Sequence, residues 1–370
     1  MLPRKLYILK SMTQAVNNLV EKRTGYRIRR IAGFPFMTFD HNRFLAVRLD
    51  VINRCNLRCK ICFFSQDEVR NAPLSHMSRE LFQKIAHEIF PLTRQLIFSA
   101  GAEPLMSNHF GKMLEMTRQY HIPYISFFTN GALLNETLAR QFIRLPVNEI
   151  HFSVDGATKE TYEAIRIGGN FDQLLANIRT LHDLKMAQNS SVPRLSFQIV
   201  VMRSNIHELS ACVELAHTLG IENINVSVLI PHQGLSLEKE VLDSHSAAVR
   251  SSVLKASLLA KQHQINFVFP AHIFDADTKK QHVSQGQSQC QSPWQEIFIK
   301  SDGTAYPCCF WGNPPMGNLV QQTFQEIWSG QSYEQLRQEI LSGKLSVNCV
   351  QCPIFGIKQY DNKITPHCDN

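Results

Sequence analysis

From about residue 45 onward, short apolar segments alternate with longer segments in which apolar residues recur at helical spacing. The short segments predict strands at 45–52, 95–99, 124–129, 149–154, 195–202 and 223–229. The longer segments predict helices at 78–89, 110–120, 134–144, 158–165, 171–184 and 206–219. This alternation indicates an α/β fold with a parallel sheet, which right-handed crossovers would curl into a partial (β/α)6 TIM-like barrel. Functional residues of such barrels lie at the C-terminal ends of the strands.

The pattern changes after the last of these strands. A helix is predicted at 241–263, followed by a polar, glutamine-rich stretch at 275–291. Residues 290–355 contain many cysteines and few long apolar segments, as expected of a module organised by metal. We therefore predict four units. They are an N-terminal arm (1–44), a barrel (45–232), a helical linker segment (233–289) and a C-terminal cysteine-rich domain with a tail (290–370).

Charge is distributed unevenly along the chain. Residues 1–30 hold eight basic residues and one acidic residue, so this segment carries the whole formal excess of +7. Apolar residues between positions 6 and 19 recur at helical spacing, which predicts a basic amphipathic helix. Such a helix either packs on the main domain or contacts an anionic membrane surface or an acidic partner. Nucleic acid is not expected, because basic and aromatic residues do not interleave.

The hydrophobic fraction of 44% is enough for a full core. No apolar run is long enough for a membrane-spanning helix, and the N-terminus does not have the pattern of a secretory signal. The chain has ten cysteines, most of them in two tight groups. Close cysteines in a reducing compartment bind metal more often than they form disulfides. A cytoplasmic protein, peripheral at the membrane if the basic arm binds there, is therefore predicted.

The first cysteine group directly follows the first predicted strand. Cys55, Cys59 and Cys62 have the spacing C-x3-C-x2-C. A closed zinc site requires four ligands, and [4Fe-4S] clusters are usually held by four cysteines. Three thiolates on one loop would hold three corners of a cubane and leave one iron open. The alternative is a zinc site completed by a distant histidine.

The position and spacing of this triad resemble the signature of the radical S-adenosylmethionine (radical SAM) superfamily. The resemblance implies that SAM chelates the open iron through its amino and carboxylate groups. It also implies that the reduced cluster cleaves SAM to methionine and a 5′-deoxyadenosyl radical. Cys55, Cys59 and Cys62 would then be the catalytic centre, and an electron donor such as flavodoxin or ferredoxin is implied as a partner.

Other segments at predicted strand ends resemble the same family. Gly101-Ala102-Glu103-Pro104 is similar to its Gly-Gly-Glu-Pro segment, which contacts the SAM amino group. Ala102 replaces the second glycine, so this position has to accommodate a Cβ atom. The resemblance further implies SAM or substrate contacts for residues that follow later strands: Thr129, Ser153, Asp155 and Arg166.

For several of these candidates an alternative interpretation stays open. Thr129 also fits a simple turn, and Arg166 also fits a surface arginine. Gln198 and Asn205 are weaker candidates on and after the fifth strand, because each residue type is more often structural than a ligand.

The second cysteine group resembles the SPASM extension of some radical SAM enzymes. Its first half matches, but the further cysteines of the full pattern are replaced here, with Lys358 and Asn362 in that region. The resemblance therefore implies one auxiliary [4Fe-4S] cluster, in place of two. Its ligands would be Cys290, Cys308, Cys349 and Cys352. Cys309 could replace Cys308, and a zinc ribbon with the same ligands is the alternative.

Three cysteines remain. Cys212 lies in a predicted helix and is expected to be a buried apolar residue. Cys309 and Cys368 are spare, and a spare thiol near the radical site could return a hydrogen atom to a substrate, as an epimerase requires.

The resemblance predicts hydrogen-atom abstraction from an unknown substrate. Our first hypothesis is epimerisation or oxidation of a small or carbohydrate-like molecule. The second is modification of a ribosomal peptide or protein, and the third is an inactive iron-sulfur or zinc-binding module.

Overall fold

The computed structural model describes residues 26–31, 34–39, 43–99, 101–232, 234–243, 245–270, 274, 290–308, 313–350 and 352. The predicted amphipathic helix of the basic arm, Cys309 and Cys368 lie outside these residues. The strands are β1 (Tyr26–Ile31), β2 (Phe34–Phe39), β3 (Leu45–Leu49), β4 (Thr93–Phe98), β5 (Tyr124–Thr129), β6 (Glu149–Ser153), β7 (Arg194–Val201), β8 (Asn223–Val228), β9 (Asn266–Val268), β10 (Glu296–Ile299), β11 (Thr304–Tyr306) and β12 (Gly317–Asn318).

Helices occupy most of the connections. They are α1 (Asp67–Asn71), α2 (Arg79–Ile89), α3 (Phe110–Thr117), α4 (Glu136–Arg144), α5 (Lys159–Ile165), α6 (Phe171–Ala187), α7 (Leu209–Thr218), α8 (Ala247–Gln262), α9 (Ser292–Gln295), α10 (Phe324–Trp328), α11 (Gln331–Ser342) and α12 (Val347–Val350).

The described strands form a two-stranded hairpin and one ten-stranded sheet. The hairpin pairs β1 with β2, and no strand was predicted there. In the large sheet the order is β12-β11-β10-β3-β4-β5-β6-β7-β8-β9. All neighbours from β10 through β3 to β9 are parallel, whereas β10-β11 and β11-β12 are antiparallel.

The six strands predicted for the barrel are therefore β3–β8, adjacent and in chain order. This confirms the α/β class and the partial (β/α)6 barrel. Among the described strands, β9 and β12 lie at the two ends of this order and do not pair with each other. The predicted domain boundaries stay predictions, and β10 of the C-terminal module extends the barrel sheet by pairing with β3.

Side-chain caps fix where several helices begin. Ser78, Asn135, Thr158 and Asn170 each accept a hydrogen bond from the backbone N–H three residues later, at the starts of α2, α4, α5 and α6. These bonds satisfy donors that have no partner within the helix. Each cap thus sets the position at which the chain leaves the site face of the sheet.

Phenylalanine rings form a large part of the core between the sheet and α2–α4. Phe110 packs edge-on against Phe98 and Phe127, with centroids 5.3 and 5.2 Å away, and Phe142 lies 5.0 Å from Phe127. Edge-to-face rings contribute beyond their buried area. This core holds the ends of β4 and β5 in place, where candidate site residues follow.

A buried ion pair joins the C-terminal module to the barrel. Arg48 on β3 is 2% exposed and Glu296 on β10 is 0% exposed, and Nε of the arginine lies 3.0 Å from Oε1 of the glutamate. Ser292 donates to the other carboxylate oxygen at 3.0 Å. Because a buried charge is costly without its partner, the pair fixes the contact between β3 and β10.

Within the described residues, no helix combines the length and apolar character that a membrane crossing requires.

We expect Glu296→Gln to destabilise the protein by about 3 kcal/mol or more, because Arg48 loses its charged partner in the interior. Thermal unfolding of the cluster-loaded protein measures the change. The matched control is Glu136→Gln, which breaks an exposed pair with Arg140 and should cost at most about 0.5 kcal/mol. Equal shifts in the two variants would contradict a special role for the buried pair.

Candidate active site

A cavity opens at the C-terminal ends of the barrel strands. The predicted site residues that line it are Cys55, Cys59, Cys62, Gly101, Ala102, Glu103, Thr129, Ser153, Arg166 and Gln198. The structure thus brings together residues from five separate strand ends and loops.

The triad loop is held against the C-terminal end of α5. The N–H groups of Arg58 and Lys60 donate to the carbonyls of Ile167 and Ile165, each at 2.8 Å. Cys62 N donates to the Cys59 carbonyl at 3.1 Å, which turns the chain between the second and third cysteines. The loop therefore has a defined shape that rests on α5.

The start of the loop is anchored on its other side. Asn53 donates to the Pro73 carbonyl at 2.8 Å and accepts from Ser75 N at 2.8 Å, and Arg54 donates to the Ala72 carbonyl. The Arg54 carbonyl accepts from Glu103 N at 2.9 Å. These bonds tie the loop both to the segment before α2 and to the segment after β4.

Apolar side chains shield the triad. The cluster around Cys59 consists of Leu57, Ile61, Ile165, Val200, Met202, Leu229 and Leu237. An ion pair between Lys60 and Glu240, 2.8 Å long, ties the loop to the segment that carries Leu237. The surroundings of the thiols are therefore largely dry.

Burial changes the acidity of the triad. It raises the pKa of Cys55 and Cys62 to about 12, with the Glu103 carboxylate adding to the effect at Cys55, and it also raises the pKa of Cys59. Without a bound metal these groups are neutral thiols, and binding would release their protons. Asn130 Nδ2 lies 3.7 Å from Cys55 Sγ and Arg166 Nη1 lies 3.8 Å from Cys59 Sγ, so donors already face two of the sulfurs.

The donor set fits an iron-sulfur cluster better than a single ion. In the part of the chain that the structure describes, no three His, Cys, Asp or Glu side chains converge closely enough to hold one metal ion. A zinc ion gathers its thiolates at about 2.3 Å from one point, whereas a cubane receives each thiolate at a separate iron.

Glu103 links the ends of β4 and β5. Its carboxylate accepts from Thr129 Oγ1 and Asn130 N, each at 2.8 Å, and from Leu105 N at 3.1 Å. Burial nevertheless raises the pKa of Glu103 to about 7. Thr129 therefore contacts the Glu103 carboxylate directly. Pro104, which follows Glu103 in the chain, begins a short 3-10 turn.

Gly101 occupies a position where a side chain would not fit. A Cβ atom there would lie 2.8 Å from the Phe64 ring and 3.0 Å from the Phe63 ring. Ala102 is buried and lines the cavity, so the position of the replaced glycine does accommodate a Cβ atom.

Arg166 reaches the cavity from the end of α5 and is oriented by Asp155. The guanidinium donates through Nε at 2.7 Å and approaches through Nη2 at 2.6 Å, both to Oδ2. Val200 N donates to the other oxygen of Asp155 at 2.8 Å. Asp155 is fully buried and does not line the cavity. Both of its carboxylate oxygens hold protein groups, and its predicted contact with SAM or substrate stays a prediction.

The two weaker candidates differ in placement. Asn205 braces the backbone around Asp155, donating to the Asp155 carbonyl at 2.9 Å and to the Val200 carbonyl at 2.8 Å. Gln198 lines the cavity and donates to Ser227 Oγ at 2.6 Å. Asn205 thus braces the backbone, whereas Gln198 forms part of the cavity wall.

Glu208 was not predicted, yet it fixes the helix that carries Arg166. Its carboxylate accepts from Ala157 N at 2.7 Å, from Thr158 N and Oγ1 at 3.2 and 2.8 Å, and from the Thr161 hydroxyl. A carboxylate at a helix N-terminus is favourable for the helix dipole. No local signal identifies this role, since Glu208 lies about fifty residues away along the chain.

Further cavity residues were also missed, namely Arg48, Ile61, Ser99, Phe128, Asn130 and Val200. The sequence did contain a signal for Arg48, because it is a charged residue within the apolar run that forms β3. Phe128 and Val200 follow from the alternation of side chains along β5 and β7 once the orientation of the sheet is known.

The auxiliary cysteines lie in the C-terminal module. Cys349 is on α12, and Cys352 N donates to its carbonyl at 3.3 Å. Burial raises the pKa of Cys349, and nearby Cys290 contributes to the rise. Asn313 Nδ2 donates to Cys308 Sγ at 3.1 Å. Each of the four predicted ligands is thus in the described module, and Cys308 already accepts a hydrogen bond.

Comparison with known proteins agrees with this geometry. The model of the Radical SAM superfamily matches residues 49–216, and that of the SPASM family, an iron-sulfur cluster-binding domain, matches residues 290–353. The chain belongs to the radical SAM superfamily and carries a SPASM domain. It is a radical SAM/SPASM enzyme whose cofactors are SAM and [4Fe-4S] clusters.

Several relatives cover most of the chain. The AdoMet-dependent heme synthase of Methanosarcina barkeri is 24% identical over 322 residues, covering 79% of this chain and 85% of the relative. Mycofactocin maturase MftC of Mycobacterium ulcerans is 24% identical over 294 residues, covering 78% and 76%. Streptococcus suis SuiB bound to its precursor peptide SuiA has a TM-score of 0.64 at 14% identity, covering 96% of this chain and 76% of SuiB.

We expect Asp155→Asn to weaken SAM binding about tenfold or more, because the Arg166 guanidinium loses the charge that orients it. Anaerobic equilibrium binding to the cluster-loaded protein measures the affinity. Asp172→Asn is the control, since it removes an exposed carboxylate that pairs with Lys159. Lys159 lies on α5, the helix whose end carries Arg166. An unchanged affinity in Asp155→Asn would show that Arg166 does not depend on Asp155.

Proposed function

We propose that Cys55, Cys59 and Cys62 hold a [4Fe-4S] cluster whose open iron takes SAM, and that the enzyme starts its reaction by abstracting a hydrogen atom from the substrate. The observation that carries this is the convergence of the three thiols, Glu103 and Arg166 on one cavity. When bound and reduced, the cluster supplies the electron that cleaves SAM. The electron comes from a donor such as flavodoxin or ferredoxin.

The residues of this chain have separate tasks in that reaction. Glu103 accepts hydrogen bonds from the ammonium group of SAM. Its buried carboxylate becomes ionised as the pH rises through about 7. Arg166 pairs with the SAM carboxylate and is already oriented by Asp155. Because these side chains are already held in place before SAM binds, binding costs little of their conformational entropy.

Other residues shape the cavity. Gly101 lets the backbone approach Phe63 and Phe64, and Ala102, Thr129 and Ser153 complete the wall. The apolar cluster around Cys59 excludes water from the reacting region. Exclusion of water prevents side reactions of reactive intermediates.

For the second site we propose Cys290, Cys308, Cys349 and Cys352 as ligands of one auxiliary cluster. The Arg48–Glu296 ion pair links this module to the cavity, since Arg48 lines the cavity and Glu296 belongs to the module. In an oxidation the auxiliary cluster would accept the second electron from the substrate.

The substrate we propose is a peptide or a protein side chain. Support comes from SuiB, which binds its precursor peptide SuiA. The earlier hypothesis of a small or carbohydrate-like substrate becomes the second candidate, and the relationship to a heme synthase favours a small molecule.

Combined replacement of Cys55, Cys59 and Cys62 by alanine should abolish 5′-deoxyadenosine formation by the reduced protein with SAM. The matched control is Cys212→Ala, which removes a buried thiol from α7 and should keep the activity. Product analysis by chromatography measures both. If the native protein, with its iron and sulfide loaded, makes no more 5′-deoxyadenosine than the triple variant, the inactive-module hypothesis replaces the enzyme hypothesis.

Peptides should stimulate SAM cleavage more than sugar nucleotides or other small metabolites do. A mass-labelled peptide library and a metabolite panel, each incubated with the loaded enzyme, provide the comparison. Stimulation by the metabolites alone would reject the peptide proposal and support the second candidate.

A further inference from the structure

Asn130 follows β5 and lies where the cysteine loop, the Glu103 carboxylate and the cavity meet. It is 5% exposed and lines the cavity. Its backbone N–H donates to Glu103 Oε2 at 2.8 Å. Its side-chain amide donates to Asn56 Oδ1 at 2.9 Å and to Cys55 Sγ at 3.7 Å. One residue therefore contacts both a cysteine of the triad and the carboxylate that we propose to bind SAM.

The orientation of the Asn130 amide follows from its hydrogen bonds. Its Oδ1 accepts from Ala132 N at 3.0 Å. An asparagine amide accepts through its oxygen and donates two hydrogens through its NH₂ group. Exchanging the oxygen and nitrogen would set an NH₂ group against the Ala132 N–H and an oxygen against Asn56 Oδ1. The amide therefore presents its hydrogens to Asn56 and to the Cys55 sulfur.

The turn that carries Asn130 is held by contacts that do not involve the Asn130 side chain. Gly131 has a φ of +71°, which glycine adopts without steric cost, and a Cβ atom there would lie 2.5 Å from Leu174 Cδ1. Asn177 on α6 donates to the Gly131 carbonyl at 2.8 Å, and Gly131 N donates to Thr129 Oγ1 at 3.0 Å. The backbone thus keeps Asn130 beside Cys55.

Cys55 Sγ has two neutral donors. The Leu57 N–H donates to it at 3.4 Å, in addition to the Asn130 amide. Hydrogen bonds to a charged acceptor are roughly twice as strong as those between neutral groups, so these donors favour a thiolate over a thiol. Neither of them brings a cation into the dry region around the triad.

We propose that Asn130 is a positioning residue that donates a hydrogen bond to the Cys55 thiolate and thereby raises the reduction potential of the triad cluster. The inference rests on the proposed function of the triad. Hydrogen bonds to the sulfurs are among the factors that set the potential of an iron-sulfur cluster, because they stabilise the added negative charge of the reduced state. Through its backbone N–H the same residue holds Glu103, so the cluster ligand and the proposed SAM-binding carboxylate keep a fixed relation.

A potentiometric titration of the cluster-loaded enzyme, followed by electron paramagnetic resonance, tests the proposal. The triad cluster is identified by its response to added SAM, which requires an open iron. In Asn130→Ala we expect the ratio of reduced to oxidised triad cluster at the wild-type midpoint to fall about tenfold, equivalent to about 59 mV for one electron. The control Asn177→Ala loosens the same turn but keeps the donor to Cys55, so its midpoint should not change. An unchanged midpoint in Asn130→Ala, or an equal fall in Asn177→Ala, would overturn the proposal.

Asn130→Leu separates the hydrogen bond from the space that the side chain fills. Leucine keeps about the volume of asparagine but has no N–H to donate. We expect the midpoint to fall at least as far as in Asn130→Ala. If Asn130 only filled space, leucine would be the milder replacement, so a midpoint close to the wild-type value would contradict the proposal.

A measurement on the wild-type protein decides the question if the Asn130 variants do not retain the cluster. With nitrogen-15 in the side-chain amides of asparagine, pulsed electron paramagnetic resonance of the reduced, SAM-responsive cluster should show a weak nitrogen coupling transmitted by the hydrogen bond. The coupling should persist in Asn56→Ala, which removes the neighbouring amide. Its absence in the wild-type protein, or its loss in Asn56→Ala, would overturn the role of Asn130 and leave the proposed function intact. If no cluster signal responds to SAM, the proposed function fails and this inference fails with it.

Discussion

The two hydrogen bonds from Arg58 and Lys60 to the carbonyls of Ile167 and Ile165 are the contact on which the site depends. They hold the cysteine loop, which follows β3, against the end of α5, which follows β6. Arg166 lies between the two carbonyls in the chain, so the same contact that shapes the triad also places the guanidinium beside Cys59. Loop, helix end and cavity therefore form one unit.

A second constraint is that every charge brought into this dry region has to be balanced. Arg166 is matched by Asp155, Arg48 by Glu296, and Glu103 by three donors. The arrangements around Glu103 and Arg48 cross between strands, and the one around Arg48 also crosses between modules. Because buried charges without partners are costly, these pairings select one arrangement of the strand ends.

The parts of the fold that could be predicted from sequence are those with local signals. Strands β3–β8 are short apolar runs because helices cover one face and the barrel interior the other, and helix caps such as Ser78 are visible in the chain. The triad and the segment around Glu103 stand at strand ends that any parallel sheet brings together. The residues that determine the site were therefore largely within reach of the sequence.

What could not be predicted depends on partners far away along the chain. The direction of Asp155, toward Arg166 and Val200 and away from the cavity, follows from packing of β7 and α5 that no local pattern reports. Likewise the pairing of β10 with β3 joins residues about 250 apart. The hairpin at 26–39 was missed although Tyr26, Arg27, Ile28 and Arg29 alternate apolar and polar positions, because the basic charge of this segment was attributed to an N-terminal arm.

Glu208 has a consequence for how sequence variants of this enzyme should be interpreted. It does not line the cavity, and in the sequence it looks like an ordinary acidic residue near the start of a helix. Yet its hydrogen bonds secure the N-terminus of the helix whose other end carries Arg166. A substitution at position 208 would act like an active-site lesion at a distance, so proximity to the cofactors is a poor criterion for ranking natural variation in this protein.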